Sequence, residues 1–215
     1  IPSSLVGSEM CIRDSPCGAV AGKDEIFRIL SIARKWPNCI VIADEIYDGL
    51  DFTGEHRSVA SLSPDVPVFV LNGVSKVYYA PGWRIGYLGI HDPKGRLVSI
   101  RDGIERLLRS RLCASTPAQM GYLAGLDGDR SWMKSYSDKI KRQRDLCVKR
   151  INSIEGLEVQ SSGGAFYMFI KLTDEQWQQN DKDFVLKLLH EEHVLVVHGS
   201  GFSPDLGGGH FRLVY

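Results

Sequence analysis

Three short segments of the 215-residue chain carry side chains suited to covalent and proton-transfer chemistry. Asp44-Glu45-Ile46-Tyr47 directly follows the apolar run Ile40-Val41-Ile42-Ala43. Strand alternation puts Asp44 and Ile46 on one face, so a carboxylate and an apolar contact can meet the same flat ligand. Tyr47 opens the following loop and can aim its hydroxyl back. Asn72-Gly73-Val74-Ser75-Lys76 follows a second apolar run, 66–71. A lysine flanked by Val74, Val77, Tyr78 and Tyr79 is poorly solvated, a setting that favours the neutral, nucleophilic amine and condensation with an aldehyde. Gly82-Trp83-Arg84-Ile85-Gly86 adds a guanidinium eight residues after Lys76, a fork suited to phosphate. Each segment alone is a weak signal: the first reads more readily as a solvated strand end, and the second as readily as an ordinary loop lysine. Together they place a carboxylate, a phenol, a hydroxyl–lysine pair and an arginine at strand ends, where open α/β sheets bind ligands.

The elements that position these groups are read from hydrophobic periodicity. Ile26, Ile29, Leu30 and Ala33 recur at helical spacing over 24–36, and Pro37-Asn38 closes the helix. The continuous apolar runs 39–43, 66–71 and 83–90 read as strands buried on both faces, as in a parallel or mixed α/β sheet. Leu97, Ile100, Ile104, Leu107 and Leu108 mark a long helix, and Trp132, Tyr136, Ile140, Cys147 and Ile151 mark another. Strands are expected at 157–160, 165–170, 194–197 and 211–215, with a short helix through Phe184, Val185, Leu188 and Leu189. The boundary between the two parts is placed inside the long helix, near residue 105.

Composition excludes several classes of function. The 26 basic residues cancel the 26 acidic ones, so no global field favours nucleic acid or an anionic membrane. Basic residues do cluster around Arg101–Arg111 and Lys139–Arg144, but acidic neighbours offset them and no stacking aromatics interleave. They read as solvated helix surface. No apolar run approaches the roughly 18 residues that span a bilayer. Five cysteines without a C-x-x-C pair suggest neither a disulfide framework nor a zinc site. His190 and His193 lack a partner motif, so no metal is expected. Reduced thiols point to the cytoplasm. Residues 1–14 have no periodicity of either kind and are read as a non-native, artefactual segment. The apolar run at 211–215, where the chain stops, reads as a clipped strand, so the chain is expected to be a fragment.

Taken in order, D-E-I-Y, N-G-V-S-K and G-W-R-I-G-Y resemble the class I/II aminotransferases, the fold-type I pyridoxal-phosphate enzymes. The resemblance extends from about Ser15 to Tyr215. Gly163-Gly164-Ala165-Phe166-Tyr167 is similar to a small-domain strand of that family. The run 194–202 resembles its V-x-V-x-P-G-x-x-F loop, with His198 where proline is usual. Phe211-Arg212-Leu213 resembles the strand that carries the carboxylate-binding arginine. The run 111–119 (RLCASTPAQ) pulls the likeness towards alanine aminotransferases. Ser15-Pro16-Cys17-Gly18 stands where the family has N-P-T-G, so the contact made by that asparagine is unsupported here.

This resemblance implies an α/β fold: residues 15–104 as the later half of a pyridoxal-phosphate-binding large domain with a mostly parallel sheet, and 105–215 as an α+β C-terminal small domain. It implies pyridoxal 5'-phosphate as cofactor, and amino-acid and keto-acid substrates, with alanine and 2-oxoglutarate as the pair. Lys76 would bind the cofactor aldehyde and move the substrate proton. Asp44 would pair with the ring nitrogen, Tyr47 would donate to the ring oxygen, and Ile46 would pack on the ring face. Ser75 and Arg84 would hold the phosphate, and Arg212 would clamp the substrate carboxylate. A homodimer is implied for the full-length enzyme, with the chain alone inactive. The alternatives are a cofactor-binding regulatory domain, or a lyase or decarboxylase on the same scaffold.

Overall fold

The computed structural model describes residues 8–11 and 15–215 of the chain. Its elements run, in order, β1 (Ser8–Cys11), α1 (Lys23–Ala33), β2 (Val41–Asp44), α2 (Val59–Leu62), β3 (Val68–Gly73), β4 (Gly86–His91), α3 (Val98–Arg111), α4 (Thr116–Asp127), α5 (Trp132–Ile151), β5 (Leu157–Glu158), β6 (Tyr167–Leu172), α6 (Glu175–Gln178), α7 (Asp181–Glu192), β7 (Val197–His198) and β8 (His210–Val214). Among the described residues, 8–11, 21–49 and 54–133 form one compact unit, and 15–20, 50–53 and 134–215 form a second.

The first unit is built on a sheet in the order β1-β2-β3-β4. β1 and β3 flank β2 in parallel, and β4 returns antiparallel to β3. The expected strand at 39–43 forms at Val41–Asp44, and β1 supplies a strand where the pattern of 1–14 showed none. Helix α1 packs on this sheet because Ile26, Leu30 and Ala33, one helical stripe, meet Val41 and Ala43 of β2 and Val59, Val66 and Val68. Ile26, Leu30, Ala43, Val59 and Val68 are at most 1% exposed. Full burial of such a side chain contributes roughly 1.5–3 kcal/mol. The N-terminal end of α1 is held by Glu25, whose carboxylate accepts the Gly22 N–H at 2.9 Å.

Helix α4 was not visible in the sequence pattern. Its segment, TPAQMGYLAGLD, has two glycines and no clear apolar stripe. The glycines make room for rings: a Cβ on Gly121 would lie 2.7 Å from Trp83 Cζ3, and one on Gly125 would lie 3.0 Å from Tyr78 Cε1. Tertiary packing thus overrides weak helix propensity. Ala118 and Tyr122 of α4 close over Val74 and Ile85. That contact carries the first unit past the expected boundary at 104–105, which falls inside α3, on to residue 133.

The second unit holds an antiparallel sheet in the order β5-β6-β8-β7. Val159, Met168, Ile170, Leu172, Val185, Val196 and Phe211 form its core, with Met168 and Ile170 fully buried. The expected strand at 194–197 shrinks to Val197–His198: α7 ends on His193 in a left-handed conformation, and Val194 and Leu195 remain exposed. The expected strand over 83–90 begins only at Gly86, because Pro81–Trp83 forms a 3₁₀ turn and Arg84 is left-handed at φ 52°. Among the described residues, no helix is long and apolar enough to cross a membrane.

Candidate active site

In a parallel pair the strand ends share an edge, and β2 and β3 run in register with Asp44 beside Leu71. Asp44 therefore ends β2 at the same sheet edge from which Asn72 to Lys76 leave β3. Buried and half-buried residues alternate through 41–47, with Asp44 and Ile46 both half-buried, but strand β2 ends at Asp44 and Ile46 already lies in the turn. Asp44 Oδ1 accepts the Ile46 N–H at 3.1 Å, which fixes the carboxylate and folds the chain into the turn that carries Tyr47. Tyr47 is buried, at 6% exposure.

Gly73 and Gly86 face each other across the β3–β4 ladder. A Cβ on Gly73 would sit 2.8 Å from the Ile85 carbonyl oxygen, and one on Gly86 would sit 2.5 Å from the Asn72 carbonyl oxygen. Only glycine permits this approach. The Asn72 side chain accepts the Gly73 N–H at 2.7 Å, and Val74 N–H donates to Ile85 O at 3.3 Å. Beyond the ladder, residues 75–78 form a turn held by the bonds Tyr79 N–H to Lys76 O and Ala80 N–H to Val74 O. Ser75 and Lys76 are half-buried there. Lys76 Nζ lies 5.8 Å from the centre of the Tyr47 ring, so the lysine of one strand end meets the phenol of the other. Arg84 is exposed, and its guanidinium donates to the Pro81 carbonyl at 2.9 Å.

A group of aromatic residues backs this turn, and among them Tyr122 had no sequence signal beyond composition. Tyr78 donates to the Gly125 carbonyl at 2.9 Å and meets Tyr122 edge-on at 5.7 Å, and Tyr87 stacks on Tyr122 at 6.1 Å. Burial, followed by the negative charge of Asp48 and Glu45, pushes the Tyr87 phenol up. Burial also raises Tyr122 well above an ordinary phenol, with Tyr87 and Asp48 adding to it. Both stay neutral donors at physiological pH. Glu45, which the sequence reading passed over, is 7% exposed and accepts the Val59 N–H at 3.0 Å.

Arg212 lies on β8 of the second unit, whereas the other predicted site residues belong to the first. Its Nη1 donates to Ser15 Oγ at 2.6 Å, and its Cζ is 4.7 Å from the Tyr167 ring centre and 4.8 Å from that of Phe202. Its Nε is buried and has no hydrogen-bond partner among the described residues. A buried donor left open in this way suits an incoming acceptor such as a carboxylate.

Residues 11–215 match the family model of aminotransferase class I and II. The chain belongs to that family. It is 36% identical over 208 residues to a glutamate-pyruvate aminotransferase of Haemophilus influenzae, covering 94% of this chain and 50% of that protein. An alanine aminotransferase of Mycobacterium bovis is 35% identical, with 94% of this chain and 47% of that protein covered. Among solved structures, the alanine aminotransferase from Pyrococcus furiosus superimposes with a TM-score of 0.91 at 48% identity, covering 96% of this chain and 52% of that one. An Escherichia coli aminotransferase gives 0.89 at 35% identity, with 97% and 52% covered. The fold is thus that of the fold-type I aminotransferases, and the chain spans about half the length of these relatives.

Proposed function

We propose that this chain carries the cofactor lysine and the substrate-carboxylate arginine of a pyridoxal-phosphate-dependent aminotransferase. The observation that carries this reading is the meeting of Lys76 and Tyr47 at the shared end of β2 and β3, in a chain of this family. The donor set fits pyridoxal phosphate: a carboxylate for the ring nitrogen, an amine for the aldehyde, and a hydroxyl and a guanidinium for the phosphate. Bound there, the cofactor supplies an aldehyde that captures amines and a ring that accepts electrons. Asp44, whose carboxylate is oriented by the Ile46 N–H, keeps a proton on the ring nitrogen by its charge. Opposite unit charges about 4 Å apart attract by roughly 4 kcal/mol at an effective dielectric near 20. Tyr47 donates its hydroxyl to the ring oxygen, Ile46 packs on the ring, and Ser75 and Arg84 bind phosphate.

Lys76 anchors the cofactor through Nζ. As a free amine it would hold and return the proton at the substrate Cα, help typically worth about 10²–10⁴-fold in rate. Arg212 binds the α-carboxylate and so decides which Cα bond is presented for cleavage. The relatives' names support alanine with 2-oxoglutarate as the substrate pair, and favour transamination over a lyase, a decarboxylase or a regulatory domain. The working form in this reading is a cytoplasmic homodimer. A reducing compartment suits the free thiols of Cys17, Cys39, Cys113 and Cys147.

Borohydride reduction of the chain with one equivalent of pyridoxal phosphate, followed by peptide mass mapping, tests the reading. The pyridoxyl group is expected on Lys76, with alanine protecting that site and Lys76→Ala removing the label. A label spread evenly over the surface lysines would overturn the assignment.

A further inference from the structure

We propose that Asp181, Ser200 and His198 form a hydrogen-bonded clasp that positions Phe202 against Arg212, and so sets how tightly Arg212 takes a carboxylate. The inference rests on the reading of Arg212 as the carboxylate binder. The segment in question, His198-Gly199-Ser200-Gly201-Phe202, has two glycines around one serine and a short 3₁₀ turn at Gly199–Gly201. Glycines lose the most freedom on ordering, so such a turn needs an external anchor.

Asp181 is that anchor. It lies in the first turn of α7, where the helix end favours negative charge, and is only 4% exposed. Its Oδ2 accepts the Ser200 N–H at 2.7 Å, and its Oδ1 accepts the Ser200 hydroxyl at 2.9 Å. Both carboxylate oxygens are satisfied by one residue, which makes the burial tolerable.

The single hydroxyl proton of Ser200 is thereby committed to Asp181. The 2.9 Å contact between Ser200 Oγ and His198 Nδ1 must then run from the imidazole N–H into the hydroxyl oxygen. Three side chains form one directed chain, His198 to Ser200 to Asp181. His198 stands where the resembled loop has proline, so this chain pins its turn by side-chain bonds at a position where a rigid ring would otherwise stiffen it.

The turn delivers Phe202. The Gly199 carbonyl accepts the Phe202 N–H at 2.9 Å. The Phe202 ring then sits 4.8 Å from Arg212 Cζ and edge-on to Phe169 at 6.3 Å. With Tyr167 also at 4.7 Å and Ser15 on Nη1, the guanidinium plane is set before a ligand arrives. Preorganisation of this kind strengthens binding because less freedom is lost on association.

Two readouts on the chain test the clasp. One is the Arg212 Nε–H cross-peak in a ¹⁵N-arginine-labelled sample, assigned by its loss in Arg212→Lys and displaced by the ring currents of Phe202 and Tyr167. The other is the Kd for 2-oxoglutarate from an NMR titration. Ser200→Ala is expected to move the cross-peak towards that of an exposed arginine. It should also weaken 2-oxoglutarate by about five- to tenfold, the coupling typical of residues in one network. Ser200→Thr, which keeps the hydroxyl, should restore both. His198→Ala, which removes only the outer link, should shift the peak the same way and less. Should Ser200→Ala leave peak and affinity unchanged while Arg212→Lys loses binding, the clasp is wrong and the carboxylate reading stands. Unchanged affinity in Arg212→Lys sinks that reading itself.

Discussion

The residues proposed to hold the cofactor and the residue proposed to hold the substrate are fixed in different ways. In the first unit three of the anchors are local, beside long-range ones such as the Tyr78 hydroxyl on the Gly125 carbonyl. Asp44 is bonded to a backbone two residues away, Asn72 to its neighbour, and Arg84 to a carbonyl three residues back. In the second unit they come from far along the chain. Arg212 is held by Ser15, 197 residues away, Ser200 by Asp181, 19 away, and the Ser162 hydroxyl lies 2.9 Å from that of Tyr215, 53 away. Local anchoring keeps its geometry wherever the strand ends form. Long-range anchoring exists only when the whole second unit is packed. The contacts of Asp44 and Arg84 are therefore less dependent on distant packing than those of Arg212.

The most damaging test of this contrast is a cavity in the second core. Met168→Ala removes a fully buried side chain and is expected to lower stability by about 2–5 kcal/mol, read from urea unfolding. A loss well under that range would mean the second sheet relaxes easily and does not hold Arg212 firmly.

A smaller effect is expected where the β3–β4 ladder depends on close backbone approach. Gly86→Ala puts a methyl against the Asn72 carbonyl and should lower stability by roughly 1–3 kcal/mol. It should also reduce labelling of Lys76 by pyridoxal phosphate, since the turn springs from that ladder.

Comparable in size is the loss of Arg144, which is 8% exposed, donates to the Ser162 carbonyl at 2.6 Å and lies 4.9 Å from the Phe52 ring centre. Arg144→Leu leaves a buried carbonyl without its donor, which typically costs about 1–3 kcal/mol. An effect confined to the experimental error of the unfolding curve would show that water replaces the guanidinium and that this long-range anchor is dispensable.

The smallest effect concerns a local anchor and is visible in acid. Asp92 accepts the Leu97 and Arg96 N–H groups at the start of α3, and the Leu97 bond chiefly holds its carboxyl below the usual carboxylate range. A carboxyl whose pKa is lower in the folded chain stabilises it above the unfolded value, near 3.9, and loses that contribution as pH falls through the folded value. Asp92→Asn should flatten the acid limb of stability against pH, with little change at pH 7, as followed by circular dichroism. An acid limb identical to that of the parent chain would remove Asp92 from the account of α3.

The contrast between local and distant anchors also explains what could be read beforehand. Asp44, Tyr47, Ser75, Lys76 and Arg84 occur in short contiguous motifs after apolar runs, so type and spacing sufficed to single them out. Arg212 was found only through resemblance, because nothing near it in sequence marks it. Ser15 and Asp181 were missed for the same reason: a serine and an aspartate have no periodic signature, and their partners are distant. Helix α4 was missed because its glycines weaken the helical pattern that the rings of Trp83 and Tyr78 require.

From the sequence alone come the parallel strands with chemistry at their ends, the helix over α1, the family likeness and the lysine. Hydrophobic period and short motifs carry these, and both act over a few residues. The tertiary structure decided that the first unit extends through α4, that Gly73 and Gly86 meet, and that Arg212 is held between distant partners, its buried Nε unpaired among the described residues. These depend on contacts between residues tens to nearly two hundred positions apart, which no local pattern encodes because only the folded chain brings them within bonding distance.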